Sequence, residues 1–364
     1  MANWVKNLLG KQAADQQNAA QRGTENVMNY RVLGKCGLRV SEVCLGTMTF
    51  GTDWGWGAEK AASKQIFDAF INAGGNFFDT ANRYTNGTSE QWLGEFIKAD
   101  RHRHVVGTKY SLKDRPGDLN FSGNHRKNMV RSLEDSLKRM DTDFVDILWL
   151  HSWDFTTAPE EVLRAMDDLV RSGKVLHLGI SNAPAWVISQ ANTLADWKGL
   201  NKFVAIQVEY SLIARAAERD LIPMAEELGI SVTAWGGLGN GVLTGKYLEG
   251  QTGRLRENSP RFSERNIHIA RELKAISEEL NVAPSQIALA WMMQRRSPVI
   301  PVLGIKNEAQ LADNLGSLRI ALSEETVKRL DDISAIELGY PHDLLGSTGS
   351  QTDLYGGLYG HLHF

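Results

Sequence analysis

Four residues of different kinds could together move a proton to or from a carbonyl oxygen: Asp79, Tyr84, Lys109 and His151. Asp79 closes the apolar run Asn76-Phe77-Phe78, and Tyr84 comes five residues later in the stretch NFFDTANRY. Lys109 ends the run HVVGTK, and His151 follows DFVDILWL. A carboxylate beside an ammonium keeps the ammonium charged. A phenol ordinarily holds its proton to about pH 10, and a neighbouring cation favours tyrosinate and lowers that value. Such a phenol donates and accepts a proton near neutrality, and a histidine above it can hydrogen-bond the same oxygen. The set is proton-transfer machinery for an alcohol or carbonyl oxygen. It contains no nucleophile–base pair of the serine-hydrolase kind and no cage of metal ligands.

The elements that must position these residues are short apolar runs alternating with helical patterns. Strand candidates are 43–46, 76–79, 104–109, 143–150, 175–180, 204–208, 230–235 and 299–302. Helical spacing of apolar residues covers 61–73, 124–139, 159–172 and 215–228 between them. Pro159 and Pro184 suit a helix start, Gly173 and Gly229 a helix end. Parallel neighbours need crossovers, and eight such units fit a closed (β/α)₈ TIM barrel better than an open sheet. Residues 30–33 and 38–40, with Gly34-Lys35-Cys36-Gly37 between them, read as a hairpin that plugs the barrel floor. Working residues of such barrels sit at the carboxyl ends of the strands. Those ends carry Asp79, Lys109, His151, Ser181-Asn182, Gln207 and Trp235. For any one of them a plain loop cap is the simpler reading. Six strand ends of this kind make a rim costly to leave without a ligand.

Composition narrows the function classes. The 364 residues are 42% hydrophobic and 23% charged with a net charge of −3, so no broad basic surface suggests nucleic acid. Only Cys36 and Cys44 occur, which excludes a disulfide framework and suits a reducing cytoplasm. The apolar runs are too short to span a membrane. Residues 1–29 read as a polar N-terminal extension, disordered or helical; 30–338 as the barrel; and 339–364 as a Gly-rich tail over the active-site face. Lid, disordered end and subunit contact all remain open for that tail, and with them a homo-oligomer. His102 and His104 flank Arg103 in what reads as a solvated loop, as do His361 and His363, and no metal is expected. Asn86-Gly87-Thr88 matches a glycosylation sequon but reads as a turn.

With these residues in view, the chain resembles the aldo-keto reductase superfamily from about Tyr30 to Ile336. FFDTANRY resembles the family's Asp-plus-Tyr loop, VVGTKY its lysine strand and DILWLHSWD its histidine strand. GISN and IQVEYSL resemble the nicotinamide-binding segments, and WGGLGNGVLTGKY the loop over the dinucleotide. The stretches 54–84 and SEQWLGEF are most similar to aryl-alcohol dehydrogenase-like and norsolorinic-acid-reductase-like members, with potassium-channel-β-like members also related.

The resemblance implies hydride transfer from NADPH, with Asp79, Tyr84, Lys109 and His151 as the catalytic tetrad. It implies that Gly46, Thr47, Met48 and Asp79 bind the cofactor, while Ser181, Asn182 and Gln207 hold the nicotinamide carboxamide. Trp235 takes the place of the usual stacking tyrosine. Gly236, Leu238, Gly241, Leu243 and Lys246 would form the pyrophosphate loop, where Gly236-Gly237 replaces a common Ser-Pro. Lys306, Asn307, Gln310 and Asn314 would face the adenosine 2′-phosphate. Gln310 stands where many members carry arginine, so a modest preference for NADPH with NADH tolerated is expected. Trp54, Trp56, Tyr110 and Trp153 read as lying on loops after strands one, three and four and suggest a pocket for aromatic or bulky carbonyls. The alternative is a cofactor-binding, redox-sensing regulatory subunit of the channel-β kind with little turnover. A glycosidase reading of Asp79, Asp146 and Glu209 is weaker, since Asp146 lies within a strand and Glu209 has no evident partner.

Overall fold

Eight parallel strands close on themselves in the computed structural model, which describes residues 28–362 except 252, 254, 257, 296 and 298. The extension expected over 1–29 therefore lies, but for its last two residues, outside the described residues, as does His363. The barrel strands are β3 (Cys44–Gly46), β4 (Phe77–Asp79), β5 (Val105–Tyr110), β6 (Val145–Leu150), β7 (Val175–Ser181), β8 (Phe203–Glu209), β9 (Ser231–Trp235) and β10 (Val299–Gly304). Each pairs with its neighbours in sequence, and β10 closes onto β3 with Val302 opposite Cys44. Every residue of β5 and β6 is buried. Parallel strands covered on both faces read as continuous apolar runs, which is why each barrel strand falls within two residues of its expected run.

A preceding hairpin of β1 (Tyr30–Val32) and β2 (Arg39–Ser41) closes the end from which the strands start. Gly34 N donates to Ser231 Oγ at 2.6 Å, and a Cβ on Gly34 would lie 2.4 Å from Val204 O. Leu33 and Val40 thereby join Cys44, Phe77, Val105, Ile147, Trp149, Ala205 and Ile300 in an inner core. Trp149 fills the middle of the barrel because both flanking strands carry glycine. A Cβ on Gly107 would sit 2.5 Å from its Nε1, and one on Gly179 2.2 Å from its Cε3. The polar strand ends lie at the opposite end of the barrel from this hairpin.

The outer core lies between barrel and helices. Pro159–Arg171 shows how the sequence builds one: proline at the first position, Glu160 and Glu161 in the first turn, and Val162, Leu163, Met166 and Leu169 buried at helical spacing. The helix expected over 215–228 is shorter, covering Leu221–Leu228. Pro223 lacks an N–H and fits only a first turn. Arg215 is drawn instead into a tertiary site, donating to Asp331 O and Ser334 Oγ at 2.8 Å each. His104 also departs from expectation. It is 4% exposed, with ring contacts to Phe67 and Phe78, because the following strand pulls it under the first helix. Among the described residues no group of side chains could hold a metal, and no helix is long and apolar enough to cross a membrane. Arg219 donates to Glu337 O at 2.7 Å from the loop after β8, so the C-terminal tail departs on the open side of the barrel. It carries the short helices His342–Leu345 and Thr348–Tyr355.

Candidate active site

Lys109 is buried near the end of β5, 1% exposed. Each of its three ammonium hydrogens has an acceptor. They are Asp79 Oδ2 in a short contact, Thr80 O at 2.9 Å and Tyr84 Oη at 3.1 Å. Asp79 receives a second donor, Gln207 Nε2, on Oδ1 at 3.0 Å. Burial pulls the Lys109 ammonium down, but Asp79 and Tyr84 together outweigh it and hold the pKa above its ordinary value. A buried pair of this kind stands only because its remaining lone pairs and protons are satisfied.

Tyr84 reaches this cluster from a tight turn, Tyr84–Gly87, in which Thr85, Asn86 and Gly87 all have positive φ, at 45°, 55° and 101°. The turn expected from Asn86-Gly87 is present. Because the phenol oxygen accepts from Lys109, its own hydrogen is left for another acceptor. The sequence argument has the phenol pKa lowered by the nearby cation; the structure reverses that sign. Burial raises it above the ordinary value, and the Lys109 charge and hydrogen bond only partly offset this.

His151 lies edge-on to Tyr84, ring centroids 5.9 Å apart at 84°. Burial first, then the charges of Lys109 and Arg83, push its pKa well below the ordinary value, so the ring is neutral at physiological pH. Its Nδ1 has no partner. Asn182, in the left-handed region with φ 46°, donates from Nδ2 to His151 O at 2.8 Å and to Ser181 Oγ at 3.0 Å. Ser181 Oγ in turn donates to Gln207 O at 2.8 Å. The rim is thus one connected polar network.

The other expected site residues divide. Thr47 is buried under the rim, its N and Oγ1 both donating to Asp79 O, and Gly46 precedes it beside a half-buried Met48. Half-buried Trp235 ends β9, beside Glu209 in the register. The loop beyond it is wound by Gly239 N to Gly236 O at 2.7 Å and by Gly241 N and Leu243 N to Leu238 O at 2.9 and 3.2 Å. Lys246 turns over the ring of Tyr247. At the start of the helix Glu308–Gly316, Asn307 caps Gln310 N, and Gln310 Oε1 accepts from Lys306 N at 3.0 Å. Asn314 is buried on that helix. Trp54 hydrogen-bonds Asn86 Oδ1 at 3.2 Å and packs beside Trp56, whose ring lies 5.7 Å from Lys306 Nζ. Trp153 is 8% exposed, in the outer core. Tyr110 does not reach the rim. Its side chain points outward into the core and its hydroxyl donates to Asn124 O at 3.2 Å.

Neither acid of the glycosidase reading shares a pair with Asp79. Asp146 is held by Arg101 and Val106 N near the start of β6, and Glu209 pairs with Arg261. Sequence reasoning missed Thr80 O and the bond from Gln207 to Asp79. A backbone carbonyl carries no signal in a sequence, and Asp79 and Gln207 are 128 residues apart.

An amide-and-hydroxyl set on adjacent strands (Ser181, Asn182, Gln207) suits a planar carboxamide. Beside it stand an aromatic at the next strand end, a glycine-rich loop and a helix start with Lys306. This donor set fits a nicotinamide dinucleotide. A model of the aldo/keto reductase family matches residues 42–335. The chain is 36% identical to norsolorinic acid reductase of Aspergillus flavus over 334 residues, 89% of this chain and 85% of that protein. It is 37% identical to an aryl-alcohol dehydrogenase of Pestalotiopsis microspora, covering 86% and 83% of the two. It is also 37% identical to the NADP(+) aryl-alcohol dehydrogenase of Phanerodontia chrysosporium, covering 90% of each.

Proposed function

The chain belongs to the aldo/keto reductase family, and on that premise we propose that it reduces an aldehyde or ketone with NADPH, or runs the reverse oxidation. The observation that carries the reading is the spent ammonium. With all three Lys109 hydrogens committed, the Tyr84 hydroxyl hydrogen is the acidic proton left to meet a carbonyl oxygen. Tyr84 gives that proton to the oxygen as its negative charge develops, and Lys109 stabilises the phenolate left behind. Asp79 and Gln207 keep the ammonium charged and still. His151, neutral, offers a ring N–H that orients the same oxygen.

When bound, NADPH supplies the hydride to the carbonyl carbon. Ser181, Asn182 and Gln207 would hold its carboxamide, Trp235 its ring face, the loop from Gly236 through Lys246 its pyrophosphate, and Lys306 its 2′-phosphate. The aromatic pair Trp54 and Trp56 on the loop beside Tyr84 suits aromatic or bulky carbonyls, and two relatives are named as dehydrogenases of aryl alcohols. Loss of absorbance at 340 nm, with a panel of aromatic and aliphatic aldehydes and each dinucleotide in turn, tests the reaction. Turnover of aromatic aldehydes with NADPH is expected. Tight NADPH binding without turnover of any carbonyl would overturn it in favour of a regulatory role.

A further inference from the structure

On the flank of the Tyr84 turn lies a concavity of about 510 Å³, walled by the loop after β5 and by the helix Arg126–Met140. Arg83, Lys113, Arg115, Arg131 and Arg139 line it, against only Asp114 and Asp135. Both acids are taken by one guanidinium, since Arg131 pairs with Asp114 and with Asp135 at 2.9 Å each. Arg139 is matched by the buried Glu90 at 2.6 Å. Arg83, Lys113 and Arg115 are left without a carboxylate partner among the described residues. Three uncompensated like charges around one hollow repel each other and raise the local concentration of anions.

The wall is built to present donors. Arg115 and Arg131 lie over the Phe121 ring, 3.7 and 4.1 Å from its centroid. A guanidinium stacked on a ring keeps its in-plane N–H edge for an oxyanion. Arg131 Nε is buried and has no partner. At the back, Asn82 is 2% exposed and donates Nδ2 to Ser132 Oγ at 3.0 Å, while its Oδ1 is unpartnered. A buried acceptor without a donor is costly, and a hydroxyl on the ligand would satisfy it.

We propose that this concavity is an oxyanion site that takes a carboxylate or phosphate group, with Arg83, Lys113 and Arg115 supplying charge and Asn82 accepting a ligand hydroxyl. Arg83 joins it to the catalytic turn, being adjacent to Tyr84 and close enough to depress His151. The anion is therefore either the charged end of the carbonyl substrate, which rests on the reaction proposed above, or a separate small anion, which does not.

Inorganic phosphate titrated calorimetrically into the full chain at fixed ionic strength, with and without saturating NADP+, tests the site. Wild type should bind it. The double variant Lys113→Met/Arg115→Met should bind at least about tenfold more weakly, and Lys113→Arg, which keeps the charge, should retain binding. No binding, or equal binding in wild type and the Met variant, overturns the site. Turnover of acid and methyl-ester pairs of carboxy-aldehydes of increasing length then separates the two sources. A kcat/KM ratio of acid over ester that falls about tenfold in the Met variant assigns the substrate's own charged end. An unchanged ratio with pocket-dependent phosphate binding assigns a separate anion. Calorimetry needs no turnover, so a chain that reduced no aldehyde would sink the reaction and leave the site to be judged by the titration.

Discussion

In the proposed reaction Lys109 is the residue on which the chemistry turns, because its three hydrogen bonds leave the Tyr84 hydrogen free for another acceptor. Tyr84→Phe keeps the ring and removes that proton. It should lower kcat by about 10²-fold or more with little change in NADPH affinity, read by steady-state rates and by fluorescence titration. Near-normal turnover in folded protein would rule Tyr84 out as the acid. The pH dependence follows from the sign of the shift. Burial raises the Tyr84 pKa, so the phenol stays protonated through the neutral range and reduction does not lose its acid there. Oxidation needs the ionised phenol and should climb with pH across the same range. Lys109→Met removes the charge and the hydrogen bond that favour ionisation, so the oxidation profile should move to higher pH. A profile that stays in place would mean that Lys109 does not tune the phenol. Residue types and spacing made the four candidates legible in the sequence. The direction of the Tyr84 shift was not, since it depends on how deeply the turn buries the ring, and neither was the carbonyl of Thr80.

At the scale of elements, the strands were legible because parallel strands buried on both faces must be written in apolar residues, as β5 and β6 are. What packs inside the barrel was not. Nothing in the sequence says that Gly107 and Gly179 flank one tryptophan, since that depends on the register of β5, β6 and β7. The arrangement carries a test. A methyl at Gly179 would lie 2.2 Å from a ring carbon of Trp149, which is fully buried, while a Cβ on Gly107 would crowd the same ring at 2.5 Å. Gly179→Ala should therefore destabilise by about 1–3 kcal/mol through overpacking, measured as a lower urea midpoint at unchanged slope. Adding Trp149→Leu should recover part of that loss, because the two sites share one contact. Full additivity of the two changes would show that the ring is not what the methyl meets. The shortened helix at Leu221–Leu228 teaches the complementary lesson. Apolar spacing alone extended it to 215, but Pro223 and the tertiary partners of Arg215 overrode the pattern.

Closure of the whole barrel brings its first and last strands together, and the expected dinucleotide site straddles that seam. β3 and β10 pair directly, Thr49 Oγ1 donates to Ile305 O, and Lys306 Nζ lies 5.7 Å from the ring of Trp56. Residues about 250 positions apart thus share one surface, which no local pattern reports. The helix start beyond Lys306 offers backbone N–H groups to an anion, yet two of its side chains are already engaged. Asn307 caps Gln310 N, and Gln310 turns back to Lys306 N instead of outward. No side chain there supplies the bidentate fork that arginine would give a phosphate. Lys306 directly precedes the cap of that helix, and its charge should distinguish the two dinucleotides only modestly. Lys306→Met should raise KM for NADPH by roughly tenfold, about 1.4 kcal/mol, and leave KM for NADH nearly unchanged. Methionine keeps an unbranched apolar stem of similar length and removes only the charge. Equal losses with both dinucleotides would mean that Lys306 supports the seam and not the phosphate. A wild-type preference for NADH would remove the 2′-phosphate from the site altogether.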